Sequence, residues 1–133
     1  MYNKKHSIYQ VFTRLFGNQN TQNTPWGTIE QNGVGKFSDF TNKALTEIRE
    51  LGITHIWYTG VPHHAVINEY KHIGISDDHP SIVKGRAGSP YAVKDYYSVN
   101  PDLADNPAQR LQEFEALIKR SHDNGLKVII DIV

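Results

Sequence analysis

Three stretches of the chain hold residue types that do chemistry. The first is His63, His64, Glu69, His72, Asp77, Asp78 and His79, which puts four imidazoles and three carboxylates into seventeen positions. Imidazole with carboxylate is a ligand set for zinc. The spacing lacks the His-Glu-x-x-His pattern that would put two imidazoles on one helical face. A metal-dependent enzyme and a solvated polar loop are therefore both open readings. The second stretch runs from Ser89 to Pro101, where Tyr91, Tyr96, Tyr97 and Asp95 lie between Pro90 and Pro101. Prolines restrict the backbone, and aromatic faces held on a loop suit a pyranose, whose C–H face lies on a ring while its hydroxyls meet acids and amides. The alternative is that the tyrosines plug the end of a core, and composition alone favours the plug. The third stretch is Lys127-Val128-Ile129-Ile130-Asp131-Ile132-Val133, an apolar run that carries one carboxylate.

A run so apolar wants cover on both faces, as a strand receives in a parallel sheet wrapped by helices. An acid there is explained by position, because the carboxyl end of a barrel strand opens onto the catalytic face. The same reasoning identifies the elements that must position it. Ile8 to Phe16 reads as a first strand ending at Gly17. Residues 18–36 read as a long loop rich in Asn, Gln, Thr and Gly. Ser38 or Asp39 is a plausible N-cap for a helix whose buried face is Phe40, Ala44, Leu45, Ile48 and Leu51, closed by Gly52. Ile53 to Thr59 has strand composition. Residues 60–105 show no persistent periodicity and read as a second long loop. Pro107 after Asn106 then starts a helix with Leu111, Phe114, Leu117 and Ile118 on one face, and Gly125 ends it before the terminal strand.

The order is strand, loop, helix, strand, long loop, helix, strand, which means parallel strands joined by crossovers. A doubly wound nucleotide-binding sheet would carry a short glycine-rich turn after its first strand, and none is present. The expected fold class is therefore α/β, a partial (β/α)8 TIM barrel made of about its first three strands and two helices. Residues 1–133 would form the N-terminal portion of a larger catalytic barrel.

Charge and composition narrow the partners. Fourteen Lys and Arg balance fourteen Asp and Glu, so no net field draws nucleic acid or an anionic membrane surface. Cysteine is absent, which excludes thiolate chemistry. The basic start Met1-Tyr2-Asn3-Lys4-Lys5-His6 is followed by a polar-interrupted stretch without a small-residue cleavage site, so no signal peptide is read. The expected compartment is the cytoplasm unless a leader has been removed, and no membrane partner is expected.

Four pieces taken in order carry a resemblance: Tyr9-Gln10-Val11-Phe12-Thr13-Arg14-Leu15-Phe16, Leu51-Gly52-Ile53-Thr54-His55-Ile56-Trp57, Tyr91 to Pro101, and Gly125 to Val133. Together they resemble the opening third of the α-amylase family of glycoside hydrolases. The resemblance implies a barrel enzyme that cuts α-glucosidic bonds of glucans or oligosaccharides by a retaining mechanism, with one carboxylate as nucleophile and a second as proton donor. In the family these carboxylates lie on strands four, five and seven, so no catalytic residue is expected in this chain. Tyr91 matches the family's tyrosine that stacks under the sugar. Asp131 matches the acid that opens the first family signature and supports the site. His64 lies where a sugar contact could arise. The Asn and His that follow the acid in the family fall beyond Val133. No cofactor is evident within the chain, and calcium is implied only for the full-length protein. A non-catalytic sugar-binding fragment is the alternative of a different class.

Overall fold

The computed structural model describes residues 5–133; Met1 to Lys4, part of the basic N-terminal stretch, lie outside the described residues. The elements are β1 (Ile8–Phe12), α1 (Thr13–Phe16), α2 (Ile29–Asn32), α3 (Asn42–Glu50), β2 (His55–Thr59), β3 (Pro62–His64), β4 (Val93–Val99), α4 (Arg110–Asp123) and β5 (Lys127–Ile130). Strands β1, β2 and β5 form a parallel sheet in that order, with Tyr9 opposite Ile56 and Ile56 opposite Val128. Among the described residues this sheet does not close on itself.

Alternation along the strands sorts the two faces. Ile56 and Tyr58 of β2 are fully buried, and Tyr9, Val11 and Val128 join them in one core with Leu45 and Ile48 of α3 and Phe114 and Leu117 of α4. Phe40 stacks on Phe16 at 4.2 Å and meets Tyr58 edge-on at 4.9 Å, the offset and edge geometries that ring quadrupoles favour. The Tyr58 hydroxyl bonds Ser121 Oγ at 2.7 Å, and burial pushes the phenol up to about 12. Cover is one-sided. Ile8 and Phe12, on the opposite face, are exposed, and so are Ile130 at the sheet border and Ile132 beyond it.

Four expectations are corrected. The first strand stops at Phe12, and Thr13–Phe16 turns into a helical coil. The cause is tertiary: Arg14 reaches a distant carboxylate, and Gly35 N–H donates to Arg14 O at 2.7 Å. Any side chain at 35 would meet the Thr13 and Arg14 carbonyls at 2.8 and 2.9 Å. Residues 18–36 contain a short helix, α2, whose Thr28 and Gln31 exchange backbone bonds as a capping box. Thr41, rather than Ser38 or Asp39, caps α3 by accepting from Ala44 N–H, and Leu51 is left exposed. Residues 60–105 hold an antiparallel pair, β3 with β4. Its pairing is bulged on both sides of His63, which hides the period of two.

One buried acid ties the connections together. Asp102 is inaccessible to solvent, and a carboxylate there must be paired and hydrogen-bonded. It accepts from Arg14 Nη1 at 2.7 Å, from Asn68 Nδ2 at 2.8 Å and from the Tyr70 hydroxyl at 2.6 Å. Lys36 Nζ donates to the carbonyls of Asp102 and Ala104 at 2.7 and 3.0 Å, and burial holds its pKa below the ordinary lysine value. Burial also pushes the Tyr70 phenol up, with the negative Asp102 beside it.

Asp102→Ala strands Arg14 and Tyr70, and breaking a buried pair costs about 3–5 kcal/mol. Urea unfolding followed by circular dichroism is expected to show a loss of that size, and a change below about 1 kcal/mol would reduce Asp102 to an ordinary surface-type acid.

Candidate functional site at the carboxyl ends of the parallel strands

Parallel strands put all their carboxyl ends at one rim, so Phe12, Gly60 and Asp131, which end or follow β1, β2 and β5, meet there by topology. Gly60 has φ of 78°, a left-handed conformation that costs glycine little. Phe12 and Pro90 close around it, each within 4 Å of where a Cβ would stand. The turn aims the Gly60 N–H at Asp131 Oδ1, a long bond of 3.4 Å. Asp131 Oδ2 is buried and has no hydrogen-bond partner of ordinary geometry.

Tyr91 stands against this carboxylate. Interaction of its hydroxyl with Asp131 pushes the phenol above the ordinary tyrosine value, with smaller contributions from burial and the negative charge. The ring is 53% exposed, so it does not plug the core. Its position is set by the loop before it. Ile67 N–H donates to Arg86 O and Ala65 N–H to Ala92 O, both at 3.0 Å, which lays residues 86–92 along the strand-like segment after β3. Gly88, with φ of 77°, passes Ala65 so closely that a Cβ would overlap its carbonyl oxygen. Ala92 N–H then closes a turn onto Ser89 O. The polar floor continues with Gln10 Nε2 donating to Thr59 Oγ1 at 3.1 Å.

His64 lies behind the rim. It is 2% exposed, with Nδ1 3.2 Å from Pro62 O and Nε2 3.1 Å from Ala87 O. Both ring nitrogens face the chain's own carbonyls, so the arrangement leaves His64 no free nitrogen for a sugar. A neutral ring donates only one N–H, yet burial dominates and holds the pKa below the usual histidine value. Burial does the same at His63, helped by the cations Lys94 and Arg110.

The histidine-rich stretch disperses. Asp78 accepts from Val66 N–H and pairs with Lys94, Asp77 pairs with Lys71, and His79 caps its own turn. Among the described residues no three His, Cys, Asp or Glu side chains come together as a metal-ion group. Asp131 is a single carboxylate, so these residues do not by themselves build the oxygen shell that calcium takes. Among the described residues no helix is long and apolar enough to cross a membrane.

The sequence left unread the link between Gly60 and Asp131, which lie seventy-one positions apart. A glycine directly after a strand was the only local signal. Two pH effects follow. Asp131→Asn is expected to lower the Tyr91 pKa toward 10.0, read by NMR titration of the tyrosine ring, and an unchanged value would separate the two groups. His63 and His64 are depressed below 6.5, so the unfolded chain binds their protons first as pH falls. Their stabilisation is complete above pH 6.5 and is lost as pH drops below it toward the folded values. A urea midpoint that stays flat from pH 7 to pH 5 in the wild type would contradict this.

The geometry agrees with what the chain is similar to. The model of the α-amylase catalytic domain matches residues 10–133. A Beta/alpha-amylase of Paenibacillus polymyxa is 29% identical over 97% of this chain and 9% of its own length. A cyclomaltodextrinase of Thermoanaerobacter pseudethanolicus is 26% identical over 95% of this chain and 19% of its own. Among solved structures, trehalose-6-phosphate hydrolase of Bacillus licheniformis superposes with a TM-score of 0.59 at 26% identity, covering 97% of this chain and 17% of that enzyme. The chain thus spans less than a fifth of each of these proteins. Its parallel strands and helices correspond to the N-terminal part of the barrel in these neighbours, and the chain belongs to the α-amylase family of glycoside hydrolases.

Proposed function

We propose that residues 1–133 supply one wall of an α-glucan site in a retaining glycoside hydrolase, acting on starch-like glucans or oligosaccharides. The observation that carries this reading is the exposed ring of Tyr91 against Asp131 at the carboxyl rim of parallel strands, where strand-helix barrels do their chemistry. The ring offers a face to the sugar. Its hydroxyl lies near the half-buried carboxylate of Asp131, so the ring stands at the rim before the sugar arrives and less ordering is required on binding.

In a retaining reaction a carboxylate attacks the anomeric carbon while a protonated acid, roughly 5–5.5 Å away, gives its proton to the leaving oxygen. We assign neither role within this chain. Asp131 is a positioning group: through Gly60 it links the ends of two strands, and through Tyr91 it fixes the ring under the sugar. The nucleophile and the acid belong to other strands of the barrel. Calcium, where the full-length protein takes it, would need ligands beyond Asp131. His64 acts from behind, as part of the packing that supports residues 87–91.

Isothermal titration with maltopentaose tests the reading. Tyr91→Ala is expected to weaken binding about tenfold, the equivalent of about 1.4 kcal/mol and in the range of aromatic contacts. The 133-residue chain alone is expected to release no reducing sugar from starch. Wild-type affinity in Tyr91→Ala would remove the sugar platform, and turnover by the chain would move the catalytic carboxylates into it.

A further inference from the structure

The chain carries no net charge, yet one cavity gathers cations without any acid. It encloses about 600 Å3 between residues 18–33 and 84–87, a size usual for small-molecule sites. Its lining holds Arg14, Lys84 and Arg86 but neither Asp nor Glu. Arg14 is spent on the buried Asp102. Among the described residues, Lys84 and Arg86 enter no ion pair. Two uncompensated positive charges therefore border one concavity, and a cleft lined by one sign of charge concentrates ions of the other.

Arg86 is fixed where it stands. Its Nε donates to Trp26 O at 2.9 Å, and its own carbonyl accepts from Ile67 N–H at 3.0 Å, which leaves the terminal guanidinium nitrogens unspent. Lys84, two residues earlier, is exposed. A held planar fork beside a flexible ammonium suits the oxygens of a phosphate. On its other side Arg86 borders a smaller hollow lined by Glu30, Glu69 and Asp77, none of which pairs with it. Those acids repel an anion from that hollow, so the larger cavity is the place for one.

The opposite wall supplies a ring. Asn18 Nδ2 donates to Asn32 O, and Asn32 Nδ2 to Thr24 O, each at 2.9 Å, which gives the segment a set shape. Trp26, where it turns, has φ of 57° and is the only non-glycine residue with positive φ among those described, a conformation that bulky residues rarely take. Its indole stays 48% exposed and lines the cavity. A large ring left in water on a strained backbone does not serve the core; it offers a face for another ring to lie on. We infer that this cavity binds a phosphate monoester of a ring compound, with the phosphate on Arg86 and Lys84 and the ring, sugar or base, on Trp26. The site needs no contact with Tyr91 and stands whether or not the rim holds glucan.

Isothermal titration of the 133-residue chain at low ionic strength, comparing glucose 6-phosphate with glucose and AMP with adenosine, tests this. At least one ester is expected to bind about tenfold or more tightly than its uncharged counterpart, and the pair that does so identifies the ring as sugar or base. Lys84→Glu reverses a charge at an exposed position and is expected to weaken that ester about tenfold or more. Trp26→Gly, in which glycine accepts the backbone turn without strain, is expected to bring the ester down to the affinity of inorganic phosphate. Esters bound no more tightly than glucose and adenosine, or not at all, would overturn the site, and so would an ester affinity unchanged in Lys84→Glu or in Trp26→Gly.

Discussion

A carboxylate cannot be taken out of water unless donors replace it, and Asp102 obliges much of the molecule to supply them. Arg14 comes from just past β1, Asn68 and Tyr70 from the long connection after β2, and Lys36 binds the adjacent carbonyls from the segment before α3. Two connections are thereby pinned to one carboxylate, and a third to the backbone beside it. Residues 60–105 bury apolar groups of their own, among them Val61, Val66, Ile75, Val83 and Leu103, but their strand pairing is bulged, and the bonds to Asp102 fix the course of the connection around Asn68 and Tyr70. The rim is built on this fixed ground, and the course of residues 86–92 carries Tyr91 to its place.

The rim illustrates a division of labour common to strand-helix barrels. Core residues such as Ile56, Tyr58, Leu45 and Leu117 hold the sheet to its helices and are indifferent to what stands at the strand ends. Gly60 and Asp131 are not among the residues of that core, yet their positions follow from it, because parallel register fixes where each strand stops, and residues 86–92 bring Tyr91 to them. In the proposed site the tyrosine and the acid act as a pair. Asp131 is a half-buried carboxylate with Oδ2 unpaired, and Tyr91 is an exposed ring on a loop.

The exposed apolar residues Ile8, on the uncovered face of β1, and Ile130 and Ile132, at and beyond the border strand β5, have the pattern of strands that expect neighbours. In the related enzymes the corresponding part is a small share of a much longer chain. The physics of the edge and the share of length point the same way: this stretch is shaped for a barrel in which further strands cover what is open here.

Periodicity and punctuation made the helices and parallel strands legible, since α3 and α4 bury residues at helical spacing and Gly52 and Gly125 end them in left-handed turns. The aromatic segment around Tyr91 and the lone acid Asp131 were legible as chemistry, because tyrosines between prolines and a carboxylate in an apolar strand are locally unusual. Long-range pairing was not. The turn after Phe12, the β3 and β4 pair, the burial of His64 and the convergence on Asp102 all depend on partners far away in sequence. Local pattern encodes which face a residue presents, whereas a hydrogen bond between residues 14 and 102, or 60 and 131, exists only once the packed sheet has brought its ends together.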